Sequence, residues 1–342
     1  MIVGTPQKFA IDFIITDVVN NAQWVYGYFF VWVNGRRFGN ASDSCVTLNA
    51  CYGGIKNALE SEKRYDIPAS TPLFACVKDA PDLFYQSWKN NKLFDIDVSY
   101  IGQESFNDTT TLLAFNIDNA FRRIIVQQER LPAFDVTVEI ACFTSVLKSF
   151  LIEYEKCLNE FLYYADMSRT KKELAIIDQN LESDSEETVR RSLYIEKHRN
   201  NTAVIKTILE LYYKFDSTVL IRDILKTLDG WIEPELLYSL CWKYCHRQDW
   251  DVYSDVQLAA LISLVPYIRE NLDIEVLKTV YSILEKSDSS ILTRTCYTVL
   301  SYTKGIEFNP DKFPCDNEYS NKELVMNNCV IKQIRRIIEQ TA

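Results

Sequence analysis

The stretch Gln23–Asn40 reads QWVYGYFFVWVNGRRFGN. Between Trp24 and Val33, one alternate set holds Trp24, Tyr26, Tyr28, Phe30 and Trp32. The other holds Val25, Gly27, Phe29, Val31 and Val33. Successive side chains of a strand point to opposite faces, so both faces here are apolar. That pattern predicts a long inner strand covered on both sides. Asn34-Gly35 follows, a pair that tolerates the positive φ angles of a type I′ turn. The chain should therefore fold back and pair Val33 with Arg36, Trp32 with Arg37 and Val31 with Phe38. In that register Arg37 lies over Trp32 as a cation–π neighbour.

Working outward, Lys8 to Val18 alternates Phe9, Ile11, Phe13 and Ile15 against Lys8, Ala10, Asp12 and Ile14. It reads as a second strand, antiparallel to the first and ended by Asn20-Asn21. Downstream, Ser42 or Asp43 can cap a helix over Cys45–Ser61, weakened in its middle by Gly53-Gly54. Pro68, Pro72 and Pro81 mark an irregular segment, and a short helix is expected over Asp82–Asn90. Leu93–Ile101, Leu112–Asp118, Phe121–Gln127 and Phe134–Ile140 are further strands. From Cys142 the apolar period becomes helical through Phe143, Val146, Leu147, Phe150, Tyr154, Leu158 and Phe161. The sum is about six strands with two helices on one side, an α+β domain expected over residues 1–165.

Beyond Ala165 helix follows helix. The expected units are Arg169–Leu181, Glu186–His198, Thr202–Phe215, Ser217–Asp229, Pro234–His246, Ser254–Glu270, Ile274–Lys286, Ile291–Tyr302 and Asn321–Gln340. Asp216-Ser217 can cap a helix, Pro234 suits a first helical position, and Ser289-Ser290 follows a helix end. Paired helices would repeat at about 35 residues, within the range of α-solenoids. Residues 166–342 are thus expected to form an all-α, solenoid-like domain, although no residue signature repeats strictly.

Composition narrows the function classes. The chain has 342 residues, 47% hydrophobic and 25% charged, with net charge −10. Neither half has the basic excess of a nucleic-acid binder, and an acidic surface suits solubility or a basic partner. No apolar run approaches the ~20 residues of a membrane helix. The opening MIVGTPQKFAID lacks a signal-peptide pattern, so a reducing cytoplasm with free cysteines is expected.

Chemistry-bearing patterns are sparse. There are 2 histidines, His198 and His246, each in a polar context that suits an exposed or structural role. Cys241, Cys245 and His246 form the densest set of potential metal ligands, but their helical apolar surroundings favour core cysteines. Asp95/Asp97 and Asp249/Asp251 are ordinary carboxylate pairs. No phosphate loop, metalloprotease or EF-hand pattern occurs. The residues therefore point to a binding protein with no catalysis and no cofactor.

The opening of the chain also resembles a known family. Ile2-Val3-Gly4, Pro6, Phe9-Ala10-Ile11, Trp24-x-x-Gly27 and Val33-Asn34-Gly35 are similar to the start of the immunity protein family numbered 42 in bacterial polymorphic toxin systems. The resemblance covers about the first 130–150 residues. It implies a small cytoplasmic α+β inhibitor that binds the toxin domain of kin cells. The helical half is then either a second immunity module or an extension of one toxin-binding surface. No toxin-contacting residues transfer with the resemblance.

On this reading the partner is a cognate toxin domain, basic and nuclease-like, with no nucleic acid or membrane involved. The run ESDSEE over Glu182–Glu187 is the one charged interruption of the helical half. Acidic loops would steer a basic toxin, so the toxin-binding candidates are Glu182, Asp184, Glu186, Glu187, Asp249, Asp251 and Asp255. The rival is a helical-repeat adaptor, unrelated to toxins, that binds a peptide or helix along its concave face.

Overall fold

The computed structural model describes residues 1–41, 45–60, 99–100, 110–128, 132–166, 169–306 and 322–340. The segment around Pro68, Pro72 and Pro81, the helix expected over Asp82–Asn90, and most of the strand expected over Leu93–Ile101 lie outside these residues. So do the capping positions Ser42 and Asp43. The chain divides into two compact units, Met1–Arg169 and Thr170–Ala342.

In the first unit β1 (Ile2–Thr5), β2 (Phe9–Val19), β3 (Trp24–Val33) and β4 (Arg36–Phe38) lie side by side, with β5 (Val46–Thr47) also paired to β3. The aromatic stretch is β3, and strands flank it on both sides. The hairpin has the expected register: Val33 faces Arg36, Trp32 faces Arg37 and Val31 faces Phe38. Asn34 and Gly35 take φ of 49° and 77°, the left-handed region that the tight turn requires. Their amides are also held from outside the hairpin, Asn34 by the Lys8 carbonyl at 3.0 Å and Gly35 by the Pro6 carbonyl at 2.8 Å. Arg37 lies over the ring of Phe30, 4.4 Å from its centroid. Phe30 is the next aromatic on the same face as Trp32, so the long Arg37 stem slants diagonally across the pair.

Helix α1 (Leu48–Glu60) begins three residues later than expected, because Val46 and Thr47 are claimed by β5. It runs unbroken through Gly53-Gly54. A second sheet has the order β6-β7-β8-β9, from Ser99–Tyr100, Thr110–Asn116, Phe121–Gln128 and Phe134–Glu139. The strands pair antiparallel, and β9 passes directly into α2 (Ile140–Ala165). The short strands β1 and β5 escaped the sequence pattern, since two to four residues are too few to display a period.

The core of this unit lies between the first sheet and α2. Phe143, Val146, Leu147, Phe150, Tyr154, Cys157 and Phe161 form the buried stripe of α2 at helical spacing. Phe143 stacks on Phe9 at 4.8 Å, and Phe150 meets Phe13 and Phe29 edge-on at 5.1 and 5.8 Å. Such offset and T-shaped contacts suit the ring quadrupoles and add to the burial of the rings.

The second unit is helical throughout its described residues. Its helices are α3 (Lys171–Leu181), α4 (Glu186–His198), α5 (Ile205–Lys214), α6 (Thr218–Leu228), α7 (Pro234–Cys241), α8 (Asp255–Ser263), α9 (Val265–Glu270), α10 (Ile274–Lys286), α11 (Ser290–Ser301), α12 (Lys322–Met326) and α13 (Cys329–Gln340). Helices α4, α6, α8, α11 and α13 pack in succession. Helices α3, α5, α7 and α10 each pack on the member of that row that follows them. This two-layer succession is compatible with stacked helical pairs. One apolar core runs along it, from Leu181 and Leu193 through Leu225, Leu261 and Val280 to Tyr297 and Ile334.

Several boundaries have visible causes. Ser217 Oγ accepts from Leu220 N and Asp273 Oδ1 from Glu275 N and Val276 N, so both residues cap helices. The helix expected over Ser254–Glu270 is two helices, because Pro266 sits in the first turn of α9 and has no N–H to continue the ladder. The helix expected over Asn321–Gln340 is likewise two, since Asn328 Oδ1 caps Val330 N at 3.0 Å. Among the described residues no helix is long and apolar enough to cross a membrane.

Candidate functional site

The acidic run is the junction of two helices. Buried Leu181 ends α3, and Ser185 caps α4 by accepting from Thr188 N at 3.4 Å. Glu186 and Glu187 then occupy the first turn of α4, where negative charge complements the helix dipole. Glu187 is also paired with Arg191 one turn on. Glu182 and Asp184 face water. The Asp184 side chain is fully exposed and lies 3.4 Å from Lys214 Nζ at the end of α5. The run is therefore both a cap and an exposed acidic edge.

The second acidic segment behaves differently. Asp249 is exposed, but Asp251 and Asp255 are buried, at 2% and 1% exposure, and neither can belong to a surface patch. Asp251 Oδ2 accepts from Val256 N and Gln257 N, both at 3.0 Å, and so caps α8 from four residues upstream of its start. Burial is the largest influence on its carboxyl and leaves it above the ordinary aspartate range. Asp255 lies 3.6 Å from the wholly buried guanidinium of Arg222. The spacing of the three carboxylates looked like an exposed cluster, but the backbone amides at the start of α8 draw Asp251 inward, and the buried Arg222 guanidinium faces Asp255.

Arg222 belongs to a buried ionic network. Asp223 accepts from Arg222 Nε at 2.8 Å, from Arg190 Nε at 2.6 Å and from the Tyr194 hydroxyl at 2.8 Å. Burial by itself raises the Asp223 carboxyl. The Arg222 and Arg190 charges outweigh it and hold the group below the usual range. The network joins α4, α6 and α8, so it reads as a structural clamp.

Other features offer little for catalysis. His198 and His246 are both exposed. Cys241 and Cys245 are buried, and the Cys245 thiol donates to the Cys241 carbonyl at 3.6 Å. Its hydrogen bond with Cys241, then burial, push that thiol well above its ordinary value, which disfavours a thiolate ligand. Among the described residues no group of three or more His, Cys, Asp or Glu is placed to hold a metal ion. An open groove of about 840 Å³ lies at the start of α2, lined by Phe121, Glu139, Thr144, Ser145, Lys148 and Ser149 among others. Its hydroxyls and single amine suit hydrogen bonding more than covalent chemistry.

Between the acidic segments lies a set of aromatic side chains that the sequence did not single out. Tyr213 packs edge-on against Tyr212 at 5.1 Å, Tyr212 meets Tyr244 at 6.2 Å, and Tyr244 meets Trp250 at 5.9 Å. Tyr213, Trp250, Val252 and Tyr253 are exposed. The available signal was the apolar composition of W250, V252 and Y253 inside a polar loop. The neighbouring Tyr213 could not be found that way, because tyrosines on a helix read equally well as core.

Residues 1–153 match the family model described as Immunity protein 42, and the N-terminal part of the chain resembles that family. No protein with a curated description matches. Among solved structures, the crystal structure of CdiI from Burkholderia dolosa AUO158 aligns at 17% identity and a TM-score of 0.35, covering 45% of this chain and 99% of that one.

Proposed function

We propose that this chain, whose N-terminal part resembles the Immunity protein 42 family, is an immunity protein that binds and neutralises a cognate toxin domain without catalysis of its own. The match over residues 1–153 is the observation that carries this reading. The net charge of −10 supports a basic toxin, nuclease-like in kind, approached by electrostatic steering. The carboxylates that remain available for steering are Glu182, Asp184, Glu186, Glu187 and Asp249. Asp251 and Asp255 drop out because they are buried. Binding takes place in the cytoplasm, where such a toxin would act.

The test is co-expression with the toxin encoded beside this gene. The full chain should restore growth. Alanine at Glu182, Asp184, Glu186, Glu187 and Asp249 together should slow association about tenfold at low salt and flatten its salt dependence. Growth that stays arrested with the intact chain present would remove the immunity reading. The stacked helices of the second unit favour one rival, a helical-repeat adaptor, which predicts a gene with no toxin beside it.

A further inference from the structure

We infer that the stacked ring pair Tyr238–Tyr267, with the carboxylates of Glu235, Asp273 and Glu275 around it, is a docking site for a lysine or arginine side chain of a partner protein. The inference rests on the immunity reading and makes that partner the toxin domain. Tyr238 of α7 and Tyr267 of α9 lie face to face, with 4.2 Å between ring centroids and 14° between planes. Trp242 continues the row at 5.6 Å from Tyr238, and His246 ends it at 6.1 Å from Trp242. Tyr238, Trp242 and Tyr267 are part-exposed and His246 is exposed, so no member of the row is a buried ring. The face of such a ring carries negative charge density and attracts a cation.

The charge around the pair identifies the occupant. Burial most of all, then the Asp273 charge, with Glu275 further down, pushes the Tyr238 hydroxyl up to about 12. Burial, the hydrogen bond to Asp273 and the Asp273 and Glu235 charges raise the Tyr267 hydroxyl, and no cation offsets either group. Glu233 and Glu235 are exposed at the start of α7, and Glu275 at the start of α10. Among the described residues none of Glu233, Glu235, Asp273 and Glu275 is in an ion pair. Elsewhere in the unit Asp184, Glu187 and Glu210 each have a basic partner. The neighbouring cations are engaged in other directions. Arg269 lies over the Tyr302 ring at 4.1 Å, Lys243 lies over the Tyr212 and Tyr244 rings at 5.0 and 4.6 Å, and Lys304 Nζ donates to the Glu270 carbonyl at 2.7 Å. Arg247 follows His246, at the far end of the row from Tyr267. Lys278, exposed on α10, is left against the carboxylates of Glu233, Glu235, Asp273 and Glu275. Negative ring faces and unpaired carboxylates together call for a cation from outside.

The site is ordered before contact. The Tyr267 hydroxyl donates to Asp273 Oδ2 at 3.1 Å, while Oδ1 of the same carboxylate caps α10. Asn271 Nδ2 donates to the Tyr267 carbonyl at 3.2 Å and to Glu235 Oε1 at 3.4 Å, which ties α7 to the segment between α9 and α10. Rings and carboxylates already held in place lose little entropy when a partner arrives. An arginine suits the site on both counts, since its plane stacks on an aromatic face and its fork donates to a carboxylate.

The experiment is calorimetric titration of the full-length chain with the toxin domain encoded beside its gene, rendered inactive for purification. Tyr267→Leu keeps an apolar side chain but removes the ring face, and should weaken binding about tenfold. Glu235→Lys combined with Glu275→Lys turns attraction into repulsion and should weaken binding about 100-fold or more. Both glutamates are exposed, so this second variant should keep the thermal midpoint of the native chain. If the intact chain binds and rescues while both variants bind within about twofold of it, the site is wrong and the immunity reading stands. Weakening by the charge reversal alone, with Tyr267→Leu at native affinity, makes the carboxylates steering groups and overturns the docking site. An intact chain that neither binds nor rescues overturns both readings.

Discussion

Gly27 shows how one residue type is dictated from outside its own element. A Cβ at this position would lie 2.1 Å from the Ile14 carbonyl oxygen and 2.5 Å from Leu48 Cδ1, so β2 and α1 both approach the bare backbone. Gly53 is the opposite case. It lies within α1, and a Cβ there meets nothing within 4 Å. Gly27→Ala should therefore cost about 1–3 kcal/mol or more through overpacking. Gly53→Ala should stabilise by about 0.5–1 kcal/mol, because the unfolded chain loses freedom and the helix gains a better former. Urea midpoints of the two variants, shifted in opposite directions, are the check. In the sequence both were simply glycines within apolar patterns, and Gly53 looked the more damaging of the two to its element. The same limit applied to Asp249, Asp251 and Asp255. Their spacing suggested one acidic patch, yet exposure separates the first from the other two.

At the scale of the element, α6 is instructive. Its limits were legible from the Ser217 cap and the apolar period of TVLIRDILKTL. That Arg222 and Asp223 are wholly buried was not, because charged residues on a helix ordinarily mark its wet face. Three helices converge there, and α4 supplies Arg190 and Tyr194 as partners. Asp223→Ala removes the carboxylate that the buried Arg190 and Arg222 share and should cost about 3–5 kcal/mol. The pH dependence follows from the lowered carboxyl. Its stabilisation is complete above the unfolded aspartate value near ~3.9 and is lost as pH falls through the lower folded value. Acid unfolding followed by circular dichroism should show that loss in the native chain and a flatter acid limb in the variant. Elsewhere, elements changed where a neighbour competed for the backbone. Pairing with β3 took Val46 and Thr47 from α1, and Pro266 divided the expected helix of Ser254–Glu270.

For the whole molecule, the two compact units each have a core of their own, an aromatic one under the first sheet and an aliphatic one along the helical row. Separate cores predict unfolding that is not two-state, with a van't Hoff enthalpy below the calorimetric one. Gly27→Ala should lower only the transition of the first unit, and Asp223→Ala only that of the second; a single transition moved equally by both would refute the separation. The amino-acid order by itself determined what is local. It set the period of β3, the Asn34-Gly35 turn and its register, the cap at Ser217, and the change from strands to helices near Cys142. It also carried the resemblance that residues 1–153 bear out. Those features depend on neighbours a few residues away, whose side chains and φ angles the sequence states directly. Only the tertiary structure decided which carboxylates face water, which arginine lies in the core, and which tyrosines are left outside it. A helix presents the same local pattern whether its far side meets solvent or another helix. Exposure is therefore settled by what packs there, and here that exposes Tyr213 and Trp250 and buries Asp251 and Arg222.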